Sequence, residues 1–209
     1  MDLNLNQKLN NIISNIDINN KPNLFLHVCC GPCSSAVFNR LNTYFNIYVI
    51  FYNSNIDTYE EFNLRYVQLK KVIEYNNYLY KILYNDYDHN EFLSFVSGLE
   101  NCKEGGDRCI KCFELRLKKS FDITTKYIIN NNLTSSENYL CTTLSISPHK
   151  NAKIIEQIGE NICSKSDIIK YLPSDFKKEN GYLNSINLSK EMELYRQNYC
   201  GCEFSKCIN

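Results

Sequence analysis

Three groups of cysteines carry the chemistry legible in this chain. Cys29, Cys30 and Cys33 stand in the run Leu-His-Val-Cys-Cys-Gly-Pro-Cys-Ser-Ser, residues 26–35. Adjacent residues on a strand point to opposite faces, but a Gly31-Pro32 turn at the strand's end folds both thiols toward one centre. Cys30 and Cys33 also spell Cys-Gly-Pro-Cys, a thioredoxin-like pair. The extra Cys29 and the absence of thioredoxin surroundings argue against that simple reading. Cys109 and Cys112, in Arg-Cys-Ile-Lys-Cys-Phe, share one face of a helix at i, i+3 spacing. With the first group they offer four thiolates in two short segments, a count that suits zinc and a 4Fe–4S cluster equally. Cys200-Gly201-Cys202 is a different device. A C-x-C pair closes a strained, easily reduced ring, which suits a two-electron couple; its other reading is a second pair of metal ligands. Cys141 and Cys163 read as packed core thiols, and Cys102 and Cys207 as bystanders.

The polar partners are fewer. His27 alternates with Cys29 on the first strand, as a core histidine or as an orienter of the thiols. His89 marks a loop or a helix start. His149 and Lys150 follow Ser147-Pro148 at the exit of a later strand, a position suited to an anion or a proton transfer. A helix opening at Ser147 would present backbone N–H groups to a phosphate. Lys177, Lys178, Lys190 and Arg196 make a candidate basic rim, with Tyr182 and Tyr195 as candidate stacking surfaces.

The elements that must position these groups alternate. Apolar runs at 24–29, 47–51, 80–84, 139–143 and 168–172 read as strands by their β-branched and aromatic content. Between them lie helical stripes: Phe62, Tyr66, Leu69 and Ile73; Ile110, Phe113, Leu117 and Phe121; Ile154, Ile155 and Ile158. Thr58 or Asp57 caps the first stripe. Ser34 or Ser35 caps a helix running to about Tyr44, and a short helix lies near 91–96. This alternation predicts an α/β protein with a parallel sheet flanked by helices. Sites in such sheets lie at the carboxyl ends of the strands, where Cys29-Cys30, the 53–57 loop and the 142–149 segment all fall. Residues 1–22 read as an N-terminal extension with a weak stripe of Leu3, Leu5, Leu9, Ile12 and Ile13. Residues 23–209 read as a single domain, irregular and polar beyond Pro173.

The bulk numbers exclude several classes. Among 209 residues, 23 basic and 23 acidic side chains cancel, so no global field marks a nucleic-acid binder. No apolar stretch approaches the ~18 residues of a membrane span. No secretory leader is recognisable, so a cytoplasmic location is expected. Eleven cysteines in such a setting point to metal or redox chemistry rather than to structural disulfides.

The ordered motifs resemble a known family. His27-Val-Cys-Cys-Gly-Pro-Cys, Tyr52-Asn-Ser-Asn-Ile, Glu104-Gly-Gly-Asp-Arg-Cys-Ile-Lys-Cys-Phe-Glu-Leu-Arg-Leu and Thr142-Thr-Leu-Ser-Ile-Ser-Pro-His-Lys-Asn come first. Asp175-Phe-Lys-Lys, Leu188-Ser-Lys-Glu and Leu194-Tyr-Arg-Gln-Asn-Tyr-Cys-Gly-Cys complete the series. Together they resemble the QueH type of epoxyqueuosine reductase from about Leu24 to Cys202. The resemblance implies a fold like the adenine-nucleotide hydrolase and PP-loop (HUP-like) group. It implies reduction of epoxyqueuosine to queuosine at the wobble position of tRNA, with an external electron donor. It places a 4Fe–4S cluster on Cys29, Cys30, Cys109 and Cys112, and a redox-active disulfide at Cys200 and Cys202. It adds a mononuclear iron, for which Cys33 is the candidate ligand here. His149 and Lys150 are the candidate substrate contacts. The rival readings are a thiol–disulfide oxidoreductase on Cys30 and Cys33 and a zinc-stabilised tRNA-binding module.

Overall fold

A computed structural model of the chain describes residues 3–84 and 86–206; Cys207 lies outside the described residues. Five strands form one sheet: β1 Asn23–His27, β2 Asn46–Phe51, β3 Lys81–Tyr84, β4 Asn138–Thr142 and β5 Lys170–Tyr171. Their order is β3-β2-β1-β4-β5, and every pairing is parallel. The helices are α1 Leu5–Ser14, α2 Gly31–Leu41, α3 Tyr59–Tyr75, α4 His89–Phe95, α5 Asp107–Asn130, α6 Ala152–Cys163 and α7 Gly181–Glu191. The class is therefore α/β, as the alternation predicts.

Strand β1 is buried along its whole length, as a central parallel strand must be when helices cover both faces. Leu24, Leu26 and Val28 pack into one layer with Leu9 of α1, Phe38 of α2 and Leu69 of α3. Phe25 faces the opposite layer, with Phe92 of α4, Leu117 of α5 and Ile155 of α6. The extension thus gives Leu9 to the core. Its helix is fixed by a capping box between Asn4 and Gln7.

Four local expectations are corrected. Helix α2 begins at Gly31 with Cys30 as its N-cap, not at Ser34 or Ser35, because Pro32 fits the first turn. The two serine hydroxyls instead donate back to the Gly31 and Pro32 carbonyls. Ser147 and Pro148 do not open a helix. The chain makes a 3-10 turn over Thr143–Ile146, and α6 starts at Ala152, capped by Asn151. Strand β5 is only Lys170–Tyr171. Beyond Pro173 the chain forms α7 rather than irregular structure. Its Ser and Asn content is a poor helix signal, but the helix packs on α2. Gly181 starts it because a Cβ there would strike the Phe176 carbonyl.

Candidate active site

The sheet order reverses at β1. The connection after β1 leads to α2 on one face, and the one after β4 leads to α6 on the other. The chain therefore parts at the carboxyl edge between these strands, where open α/β sheets bind ligands. Cys29 and Thr143 face each other across the split. The Thr143 hydroxyl accepts from the Cys29 N–H at 3.3 Å and lies 3.4 Å from its Sγ.

His27 anchors the floor. It is wholly buried, with Nδ1 2.7 Å from the Thr142 hydroxyl and Nε2 3.0 Å from the Tyr52 carbonyl. Burial and then Arg116 depress its pKa to about 3, so it stays neutral and ties β1 to β4 and the loop after β2. It is a satisfied core histidine that supports the thiols from beneath.

Cys29, Cys30 and Cys33 converge because Cys30 caps α2 and Cys33 sits in its first turn. Gly31 makes this packing feasible: any Cβ there would fall 2.6 Å from the Gln68 carbonyl group of α3. The three sulfurs lie within 4.8 Å of one another, with Cys29 and Cys30 3.9 Å apart. Thiolates around one tetrahedral ion at ~2.3 Å stand ~3.8 Å apart, so this trio is spaced for a single metal ion. Hydrogen bonding to Cys30 and Cys33, aided by Arg116 and Lys150, holds Cys29 well below the ordinary thiol range against its burial. The same sharing pushes Cys30 up to about 12 and Cys33 upward. Gln197 donates to Cys30 Sγ at 3.1 Å.

The second thiol group lies alongside. Cys109 and Cys112, in the first turns of α5, line one cavity together with Cys200 and Cys202. Burial raises Cys112 to about 12 and raises Cys109 and Cys202 as well. A larger cavity of about 350 Å³ adjoins it, lined by Cys29, Cys33, Arg116, Tyr182 and Arg196. Cys200, His149 and Lys150 line both cavities. Burial opposes the Lys150 charge, yet Cys200, Cys29 and Cys33 outweigh it and hold the ammonium above the usual lysine range.

The C-x-C segment is clamped in place. Arg65 of α3 donates to the Cys200 carbonyl at 2.9 Å and to the Tyr199 carbonyl at 3.5 Å. Its Nε pairs with Glu61 at 2.6 Å. The Asp57 N–H donates to the Gly201 carbonyl at 3.0 Å, and the Tyr199 hydroxyl to Asp57 at 2.9 Å. Gly201 has φ +136°, and a Cβ there would crowd Asn55 and Arg65. All ten described cysteines are free thiols, Cys200 and Cys202 among them.

The expected site residues thus fall into two adjoining sets, bridged by Cys200 and flanked by His149 and Lys150. The other expectations fare differently. Ser147 offers no helix N-terminus. Lys177 is no rim residue: it donates to the Ser145 and Lys150 carbonyls and pairs with Asp175. Lys178 lines a separate cavity beside Glu179. Tyr195 donates its hydroxyl to Glu61. His89 is fully occupied by the Ser54 carbonyl and Glu203. Cys141 and Cys163 are buried core thiols. Sequence reasoning missed Arg65, Arg116 and Gln197. The available signal was positional: Arg65 and Arg116 are charges within the apolar faces of α3 and α5, where solvent-facing residues do not belong.

Clustered thiols at the switch point of a parallel sheet, with a buried arginine beside them, define an α/β protein with a thiol group that could hold a metal ion. Comparison with known proteins narrows the class. The family model for epoxyqueuosine reductase QueH matches residues 24–207. Curated relatives of that name occur in Streptococcus pyogenes serotype M1, 40% identical over 88% of this chain and 71% of that protein. Another is in Staphylococcus aureus, 36% identical over 88% of this chain and 76% of that protein. A third, in Thermotoga maritima, is 32% identical over 87% of this chain and 89% of that protein. This chain belongs to the epoxyqueuosine reductase QueH family.

Proposed function

We propose that this chain reduces epoxyqueuosine at the wobble position of tRNA to queuosine, the last step of queuosine synthesis. The observation that carries the reading is the position of Cys200, which faces the substrate-sized cavity and the inner thiol group at once. Removing the epoxide oxygen consumes two electrons and two protons and yields an alkene and water. Closing the Cys200–Cys202 dithiol to a disulfide releases two electrons and two protons, so the reaction balances. An external electron donor then reopens the disulfide.

Cys29, Cys30, Cys109 and Cys112 would hold the 4Fe–4S cluster, and Cys33 would serve a separate iron. The donor chemistry fits, since all five are thiols, with Arg116 and Lys150 lining a cavity with Cys29 and Cys33 and Lys150 another with Cys109 and Cys112. Cys33 lies within 4.8 Å of Cys29 and Cys30, close enough for an iron held there to sit beside the cluster. Held there, the cluster would supply single electrons and the iron would supply Lewis acidity. The chain's own groups do the remaining work. Lys150 and His149, which line both cavities, would contact the substrate, Arg196 and Tyr182 would line the nucleoside's pocket, and His27 holds the thiol-bearing strand. A cavity of about 350 Å³ is of a size that takes a nucleoside. With no net charge, tRNA is held through local Lys and Arg contacts and released by salt. Among the described residues no helix is long and apolar enough to cross a membrane; a cytoplasmic site of action follows from the tRNA substrate.

The test is Cys202→Ser under anaerobic conditions. It should keep its iron and sulfide and lose epoxide reduction. Full turnover in that variant removes the dithiol from the reaction. A wild-type protein that contains zinc and no iron removes the cluster.

A further inference from the structure

Arg116 lies in the buried face of α5 and is 2% exposed. Its Nη2 donates to Asn53 Oδ1. Asn53 is itself spent on the Val28 carbonyl through its amide nitrogen at 3.0 Å. The Arg116 Nε has no hydrogen-bond partner. Among the described residues no carboxylate pairs with Arg116, whereas its buried counterpart Arg65 has Glu61. A guanidinium never deprotonates in a protein, and burying one without a counter-ion costs several kcal/mol. Arg116 must therefore find its negative partner elsewhere. It lines the cavity with Cys29 and Cys33 and stands one helical turn from Cys112, so it borders both thiol groups.

We infer that Arg116 is the built-in counter-charge of the thiolate-bound metal centre: a positioning residue that sets the centre's affinity and reduction potential without ligating it. The inference rests on the metal reading proposed above. A fixed cation favours both the anionic thiolate complex and its more negative reduced state. One unit charge across a distance on the order of 10 Å, at an effective dielectric near ~20, corresponds to roughly tenfold in affinity.

The experiment compares Arg116→Lys, which keeps the charge, with Arg116→Gln, which keeps an amide donor for Asn53 and loses the charge. Anaerobic iron and sulfide analysis of the wild type comes first; a metal-free wild type overturns the metal reading and this inference with it. In a metal-loaded protein, Arg116→Gln should weaken iron retention against a chelator roughly tenfold and lower the midpoint potential in an EPR-monitored titration. Arg116→Lys should stay near wild type on both. If the Arg116 variants do not fold, Asn53→Asp neutralises the same guanidinium in place and should weaken iron retention and lower the potential in the same sense. Equal potentials and equal iron retention in the charged and neutral variants, or an unchanged centre in Asn53→Asp, overturn the inference while leaving the metal reading intact.

Discussion

Replacing Arg65 by methionine tests how the C-x-C segment is held over the thiols. The Arg65 side chain is 2% exposed and its partner Glu61 11%, with 2.6 Å between them. Removing one member of a buried pair costs ~3–5 kcal/mol, mostly the stranded charge of the other. Glu61 still accepts from the Tyr195 hydroxyl, which places the loss at the lower end. A second loss comes from the carbonyls of Cys200 and Tyr199, which no longer receive a charged donor. Hydrogen bonds from a charged group are each worth ~1.5–3 kcal/mol. The double variant Glu61→Gln/Arg65→Met separates the terms, because it removes the stranded carboxylate and leaves only the tail unclamped. Urea denaturation should show most of the stability restored. Limited proteolysis within 194–206 should remain faster than in wild type by about tenfold or more, since ~1.4 kcal/mol is a factor of ten. Epoxide reduction should fall in proportion while iron content holds. Wild-type protection of the tail and wild-type turnover in the double variant would refute the clamp.

Other outcomes follow from single groups. Gly201→Ala forces a Cβ against Asn55 and Arg65 at a backbone angle reserved for glycine; it should cost ~1–3 kcal/mol and abolish turnover with the metal retained, read by denaturation and iron analysis. Glu156 is buried with both carboxylate oxygens unpartnered, and burial followed by Glu160 raises its pKa from 4.5 to about 7. An acid with a raised folded pKa destabilises the fold as pH climbs from its unfolded value to its folded one. Glu156→Gln should therefore raise Tm at pH 8 by the equivalent of at most ~3 kcal/mol and change little at pH 5. Leu9→Ala should cost ~2–5 kcal/mol in urea denaturation, because Leu9 is fully buried in the core although it precedes the matched family region.

The sheet was legible because buried parallel strands are short apolar runs, and β1, β2 and β4 fall within a residue or two of where such runs lie. Helices with clear stripes, α3 and α5, were legible for the same reason. Helix α7 was not: its sequence is rich in Ser and Asn, and only packing against α2 makes Ser185 and Ser189 interior residues. The start of α2 was misread because serines are strong caps, whereas here Pro32 and the extended Cys30 decide the boundary. Cysteine positions pointed to the site directly. What they could not reveal was its division into a tight trio and a second group bridged by Cys200, which depends on where the C-terminal segment returns. The buried arginines were present in the sequence as charges inside apolar stripes, but the Asn53 partner of Arg116 lies 63 residues away and the Cys200 partner of Arg65 lies 135 residues away.

The most direct measurement is the mass of the wobble nucleoside after tRNA carrying epoxyqueuosine is incubated anaerobically with the iron-loaded protein and a low-potential reductant. A product lighter by one oxygen atom is expected, formed by wild type and not by Cys202→Ser. Unchanged epoxyqueuosine with the fully loaded wild-type protein would contradict it.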